Sequence, residues 1–520
     1  MVNVYVIATP RKGPRRTKMA GSMDEMALCI LAINNRSVVD AMKLTKFYRP
    51  VLVFIIIVTL AAIAGGARAD GIVTTAVLGQ GVFQTTGGAR FIARGANYVR
   101  LGAGGWHDTL EPSTYDGPRA DAAFAAMAAQ GYNLVRITLD CPSFQGGFGL
   151  WAPGLPAAYV ATVADVITRA ASHGLRVLLT FSSIPPNYLI GVTPPAQVSG
   201  ATLNYLDPAY VTARAQVWSD LLTALVRTAG RAILVPLFGI DAENEAEVGI
   251  ADQPWSAAGG TFTLYGVDFD LADPASRQLL LDLAAIVWMD TQVTAIHAVD
   301  PSLLVSTSVF SPVQAGFPGF NGVRPVTGNP GATRYPLRPL VLMALSSADY
   351  VDIHEYSAGT GWNYAASLAS AEITAAAPWP KPLLLSEYGA AIPFYPDEQA
   401  AGADMQAEMA ATCAAGVSGW AIWTWDTTEQ TNPAFYTAAG TLGAAIGPQA
   451  LPQPCQDIAV GDFVLNATGT TQIFHSSGAT YCVYASPASW QSATGAGAQT
   501  LPSYSRIPLD MVSAGTCAAP

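Results

Sequence analysis

The chain has 520 residues, a mass of 54.2 kDa and a formal net charge of −11, with a pI near 4.9. Hydrophobic residues make up 51% of it and charged residues only 12%, with 48 glycines and 36 prolines, which excludes a disordered chain and describes a loop-rich globular protein with a large core. The acidic balance argues against nucleic acid or anionic membrane surfaces as partners and suits a neutral substrate, and the length allows one barrel-sized domain plus a smaller one.

Near the N-terminus, residues 51–64 form an apolar run behind Lys43, Lys46 and Arg49 and ahead of Gly65-Gly66-Ala67-Arg68-Ala69. A transmembrane helix needs about 20 apolar residues, so this run is short. A basic flank, a short apolar core and a small-x-small ending describe a secretory signal cleaved after Ala69, with Met42 as the expected true start. An uncleaved signal anchor is the alternative. The expectation is a protein secreted or periplasmic, a monomer, with no membrane contact after cleavage. Export permits disulfides. Of the six cysteines, Cys29 leaves with the signal, Cys141 and Cys413 lie in the main domain, and Cys455, Cys482 and Cys517 cluster in the tail. One pair among the tail cysteines is expected, with connectivity open. No C-x-x-C occurs and the five histidines show no ligand spacing, so neither a metal nor another cofactor is expected.

After the signal, residues 72–94 hold two short alternating segments split by Gly87-Gly88, which predicts a β-hairpin. From Gly95 onward, buried-strand runs alternate with helical stretches. Strand one is expected over 96–99, a helix over 121–130 and strand two over 134–139. A helix over 159–172 precedes strand three at 177–181, and one over 211–229 precedes strand four at 232–240. A long helix over 276–298 leads to strand five at 303–309, followed by strand six at 350–354 and strand seven at 383–386. A helix at Glu398–Ala415 precedes strand eight at 419–425. Eight such alternations over about 350 residues suggest an α/β fold, a (β/α)8 TIM barrel, with a doubly wound open sheet as the structural rival. The Gly-Pro and Leu-Pro steps at 447–454 predict a linker, and short segments beyond it predict a small β-rich appendage. The expected organisation is therefore an extension and signal over 1–69, the barrel over 70–448, and the β-rich domain over 449–520. Tyr481, Tyr484 and Trp490 allow that last domain either to bind glycan or simply to cap the barrel.

In a barrel, the C-terminal ends of all strands face one pocket. Those ends carry Arg136 on strand two, Asn244 and Glu245 after strand four, His354 and Tyr356 after strand six, Glu387 after strand seven, and Trp423 and Trp425 on strand eight. Alone, each has a plain reading. Asn244-Glu245 lies in an acidic stretch from Asp241 to Glu247 in which Glu243 and Glu247 are rivals, and Glu387 is a glutamate at a strand end. Arg136 is more pointed, because an unpaired arginine is not buried inside a strand. Two carboxylates far apart in sequence and sharing one pocket are what cleavage of a glycosidic bond requires.

With these residues and the run Gly87-Gly88-Ala89-Arg90-Phe91-Ile92-Ala93-Arg94-Gly95-Ala96-Asn97-Tyr98 leading into strand one, the chain resembles clan A glycoside hydrolases, family 5 (the cellulase and mannanase family) most closely. The resemblance covers about residues 72–440 in layout and a handful of positions in detail. It implies a retaining hydrolase of a β-linked glucan or mannan, working by double displacement between carboxyl groups roughly 5–5.5 Å apart. It implies Glu245 as acid/base, its pKa raised by burial and nearby charge, and Glu387 as nucleophile, kept anionic by Arg136 and Tyr356. Asn244 would bind the sugar 2-OH, His354 would line the pocket near the acid/base, and Trp423 and Trp425 would belong to the substrate-binding surface, with Trp423 facing the sugar. Trp106, Trp151, Trp255, Trp362 and Tyr188 lie in loops expected over the pocket. Two departures stand out: the family's histidine after strand three is absent from Ser182-Ser183-Ile184-Pro185-Pro186, and Ala246 follows Asn-Glu where Pro is common. The competing readings are a non-catalytic glycan-binding protein on the same scaffold and a transglycosylase that processes an exopolysaccharide.

Overall fold

The computed structural model describes residues 71–77, 80–99, 109–139, 155–310, 334–357, 380–427, 434–451, 461–465, 472–477, 480–495, 501, 503–504 and 512–517. The expected signal, Cys29, Cys141, Cys455, Trp106, Trp151 and Trp362 lie outside them.

Eight parallel strands close into a barrel. In chain order they are Ala93–Asn97, Leu134–Thr138, Arg176–Thr180, Leu237–Asp241, a fifth in two pieces, Val351–Ser357, Leu383–Ala390 and Val417–Ile422. The fifth consists of Leu304–Ser306 and Ser308–Phe310 on either side of Thr307. Its first piece pairs with strand four and its second with strand six, while strand eight pairs with strand one, so the ring has no open edge. Closure settles the fold against the open doubly wound sheet.

Each expected helix forms, and its start is written in the sequence. Asp116, Asp207, Asp273 and Asp397 accept a backbone N–H at the first turns of Gly117–Ala129, Pro208–Ala229, Pro274–Val299 and Glu398–Ala415. In the first three of these, proline stands in the first turn, where its missing N–H costs nothing. Gly416, at φ 110°, ends the last of them in a left-handed cap. The helix Pro274–Val299 is long and apolar enough to cross a membrane, but it buries Ala284, Ala285, Trp288 and Met289 in the protein core.

Two elements differ from expectation. The hairpin pairs Ile72–Val77 with Gln80–Thr85, ahead of Gly87-Gly88, which instead makes a turn that brings Arg90 back to Gln84. The run 232–240 is not one strand. Arg231–Leu234 is a 3-10 turn and the strand begins only at Leu237, beyond Pro236, which has no N–H for the ladder.

The barrel interior is built in storeys. Every strand, or the residue just before it, contributes one apolar side chain to a floor of Ala93, Leu134, Leu178, Phe238, Leu304, Tyr350, Leu384 and Ala421. Ile72 and Phe83 of the hairpin plug this floor from below, with Phe83 edge-on to Phe238 at 5.0 Å and to Tyr350 at 5.6 Å. Side chains alternate along a strand, so two residues further on, Arg136, Thr180, Ser306, Asp352 and Ser386 also face inward. They make a buried polar storey, completed by Asn97 and Asp241.

At the C-terminus, five short strands between Gly461 and Thr516 form a separate sheet, stapled by a disulfide between Cys482 and Cys517. Tyr481, Tyr484 and Trp490 are buried here, and Asp462 accepts hydrogen bonds from Tyr484 and Trp490, so these rings pack the sheet. The predicted linker is fixed where it begins: Arg94 donates to Ile446 O at 2.7 Å and to Leu451 O at 2.8 Å.

Phe83 is fully buried, so Phe83→Ala is expected to lower unfolding free energy by about 3–5 kcal/mol in a denaturant titration; a loss below 1 kcal/mol would mean that the plug is not part of the core.

Candidate active site

The site rests on one buried cation. Arg136 points up the lumen from strand two and is fully enclosed. Its Nη2 donates to Asp241 Oδ2 at 2.8 Å and to Asn244 Oδ1 at 2.6 Å, and its Nη1 donates to Asn97 Oδ1 at 3.1 Å and to the Glu387 carboxylate. Asn97 in turn donates to Ser386 O at 2.8 Å and Ile422 O at 3.2 Å, which ties strand one to strands seven and eight.

Glu387 faces this cation because strand seven carries one extra residue. The pairing with strand six steps from Asp352–Leu384 to His354–Glu387, and the pairing with strand eight steps from Leu385–Trp420 to Tyr388–Ile422. Such a bulge turns two successive side chains to one face. Ser386 and Glu387 therefore both point into the barrel, and the strand continues to Ala390, past the end that the sequence suggested.

Around Glu387, Tyr356 donates its hydroxyl to Oε2, and burial holds that phenol far above its ordinary pKa, so it donates as a neutral group. His354 Nδ1 stands 3.1 Å from Glu245 Oε1 and 3.4 Å from Glu387 Oε2, while its Nε2 meets Ser386 Oγ at 3.1 Å. Burial pushes the imidazole pKa down to about 4, outweighing the pull of Glu387. A neutral ring has one N–H, and with two carboxylates at Nδ1 that proton belongs on Nδ1, leaving Nε2 to accept from Ser386. An oxygen of Glu245 and one of Glu387 lie within 4.8 Å of each other around this histidine.

Burial also raises the Glu387 carboxyl above the ordinary range, with the Glu245 charge pushing the same way and His354, Arg136 and Tyr356 pulling against them. Arg136 and Tyr356, expected to keep Glu387 anionic, thus act against its burial. Asp352 is also driven up, by burial first and then by Asp241, with Arg136 pulling against them, and it accepts the Ser386 N–H at 3.0 Å.

Of the predicted residues, Arg136, Asn244, Glu245, His354, Tyr356 and Glu387 meet in this one cluster. Trp423 follows strand eight, beside Gly389, and is largely buried. Trp425 is a correction: it turns away from the lumen and packs edge-on against Tyr132 at 5.9 Å, within the core between sheet and helices. Trp255 is likewise buried, with its indole N–H on Thr202, and Tyr188 donates to Asp220. The rival Glu243 turns outward to Arg214 at 3.2 Å and Asn204 at 3.2 Å, and burial lifts it to about 7. Glu247 opens the short strand Glu247–Gly249. No role was assigned from sequence to Asn97, Asp241, Asp352 or Ser386. The period-two spacing of Asp352, His354 and Tyr356 was the one available signal.

Among the described residues, two carboxylate–histidine groups have the geometry to hold a cation: Asp241, Asp352 and His354, and Glu245, His354 and Glu387. Arg136 already sits on Asp241 and Glu387, so a further positive ion at either group would face its charge.

No protein-family model and no curated protein sequence matches the chain. Solved structures do match in fold. One is an endo-1,4-β-mannanase from Rhizomucor miehei, at 17% identity and a TM-score of 0.49, covering 73% of this chain and 98% of that one. Another is an exo-β-1,4-mannosidase from Opitutaceae bacterium strain TAV5, at 19% identity and a TM-score of 0.44, covering 66% of this chain and 54% of that one. A third is an endo-1,4-β-D-mannanase from Thermotoga petrophila, at 14% identity and a TM-score of 0.44, covering 69% and 97%.

The neutral histidine predicts a pH signature. With a folded pKa near 4 against an ordinary 6.5, His354 contributes stability fully above pH 6.5 and loses it as pH falls toward 4. Unfolding free energies of the wild type and His354→Asn should converge on acidification by about 3 kcal/mol; curves that stay parallel would contradict a neutral buried ring.

Proposed function

We propose that this protein is a secreted, retaining glycoside hydrolase acting on a β-linked glucan or mannan. The observation that carries this reading is the approach of Glu245 and Glu387 to within 4.8 Å around His354. Such a gap suits direct attack by one carboxylate, whereas inversion needs roughly 6.5–9.5 Å to admit a water. The resemblance to clan A hydrolases points the same way, and the run from Lys43 to Ala69 supports export.

In this reading Glu387 attacks the anomeric carbon. Arg136 and Tyr356 fix its two oxygens, each from one side, so that the attacking lone pair is aimed without further reorganisation. Glu245 gives its proton to the leaving oxygen, then takes one from the water that releases the glycosyl group. His354 Nδ1–H lies between the two carboxylates and offers the same hydrogen to either as charge moves from Glu387 to Glu245 during the first step. Asn244 turns its oxygen to Arg136, and its Nδ2 makes no hydrogen bond among the described residues, which leaves it as the donor for the sugar 2-OH. Trp423 supplies an apolar face for the ring.

The test uses β-mannan and β-glucan oligosaccharides with Glu387→Gln and Glu245→Ala. Glu387→Gln should lose activity by at least about a thousandfold. Glu245→Ala should keep turnover of an activated dinitrophenyl glycoside once azide is supplied, because neither a proton donor nor a base is then needed. Because burial raises Glu387, the acid limb of the wild-type pH profile should lie above the ordinary glutamate range. Full activity of Glu387→Gln, or no wild-type hydrolysis of either glycan class, would overturn the reading.

A further inference from the structure

Glu245 has φ 57°, in the left-handed region that side chains other than glycine seldom occupy. A short polar clamp holds it there. Ser308 Oγ accepts the Glu245 N–H at 2.9 Å, and Ser308 O accepts the Ala246 N–H at 2.8 Å. The same serine hydroxyl reaches Glu243 O at 3.3 Å, and Thr307 Oγ1 donates to Glu243 O at 2.9 Å. Ser308 N donates to Asp241 Oδ1 at 2.6 Å. Strand five is interrupted at Thr307, and the groups near the break serve the loop that carries Glu245.

We infer that Ser308 is a positioning residue that locks Glu245 in its left-handed conformation and so aims its carboxyl at the scissile oxygen; the inference rests on the hydrolase reading above. It also accounts for Ala246. A residue before proline is pushed out of helical backbone regions into extended ones, and proline has no N–H to give Ser308 O. A residue other than proline at 246 is thus a requirement of this loop geometry, where the resembling family commonly has proline.

Ser308→Ala removes one hydroxyl from a buried site and leaves the Ser308 N–H on Asp241 in place. On oligosaccharides, kcat should fall about tenfold with KM within about twofold. On a dinitrophenyl glycoside with azide, which needs no acid or base, the loss should be under about twofold. A merely structural defect would lower both alike. Ala246→Pro should lower kcat on oligosaccharides as well. In the unliganded protein, exchange of the Glu245 amide hydrogen should be faster in Ser308→Ala than in the wild type. Equal losses on the two substrates, an unchanged kcat in Ser308→Ala, or a kcat maintained in Ala246→Pro would overturn the inference. If the wild type hydrolyses neither glycan class, the functional reading falls on its own, and unchanged amide exchange in Ser308→Ala would separately show that the serine does not hold Glu245.

Discussion

A guanidinium buried in the middle of a barrel needs opposite charge on every side, and the placement of Arg136 organises this molecule. It touches Asn97, Asp241, Asn244 and Glu387, which come from strand one, strand four, the loop after it and strand seven. Removing one partner of a buried ion pair costs about 3–5 kcal/mol, because the other charge is left uncompensated. The same contacts that keep Arg136 in the lumen therefore also hold Asn244 and Glu387 at the mouth. Stability and site geometry share one set of hydrogen bonds.

The charges around it are rationed. Asp241 and Glu387 face the cation directly, while burial pushes the Asp352 carboxyl up and the His354 imidazole down. A fully charged His354 would compete with Arg136 for Glu387. As a neutral ring it can serve both glutamates through one N–H. The apolar floor beneath, closed by Phe83, keeps water from the underside of this storey and makes each of these interactions stronger.

Much of this was legible in the chain itself. Buried parallel strands are continuous apolar runs, so their order was visible, while the Asp-Pro steps that start two helices went unread and those helices begin two or three residues earlier than expected. Arg136 stood out because an arginine buried in a strand needs partners. What was hidden depended on register. The bulge in strand seven has no local signature in Leu-Leu-Leu-Ser-Glu-Tyr, yet it decides that Glu387 faces inward. Trp425 was assigned to the pocket from its position, but the chain leaves the ladder at Ile422 and its ring turns toward Tyr132. Asp352 drew no reading from the sequence, since its place beside Asp241 and Arg136 exists only once the strands are side by side. Ser308 was invisible because its partners are backbone groups of a distant loop.

The central claim is that Glu387, held by Arg136 and Tyr356, forms a bond to the sugar. Incubation with an activated 2-fluoro β-mannoside or β-glucoside, followed by mass mapping of peptides, tests it directly, since the fluorine slows release of the glycosyl group. The account predicts a single glycosyl adduct on Glu387. An adduct on Glu245, or turnover without an adduct and with inversion at the anomeric carbon, would contradict it.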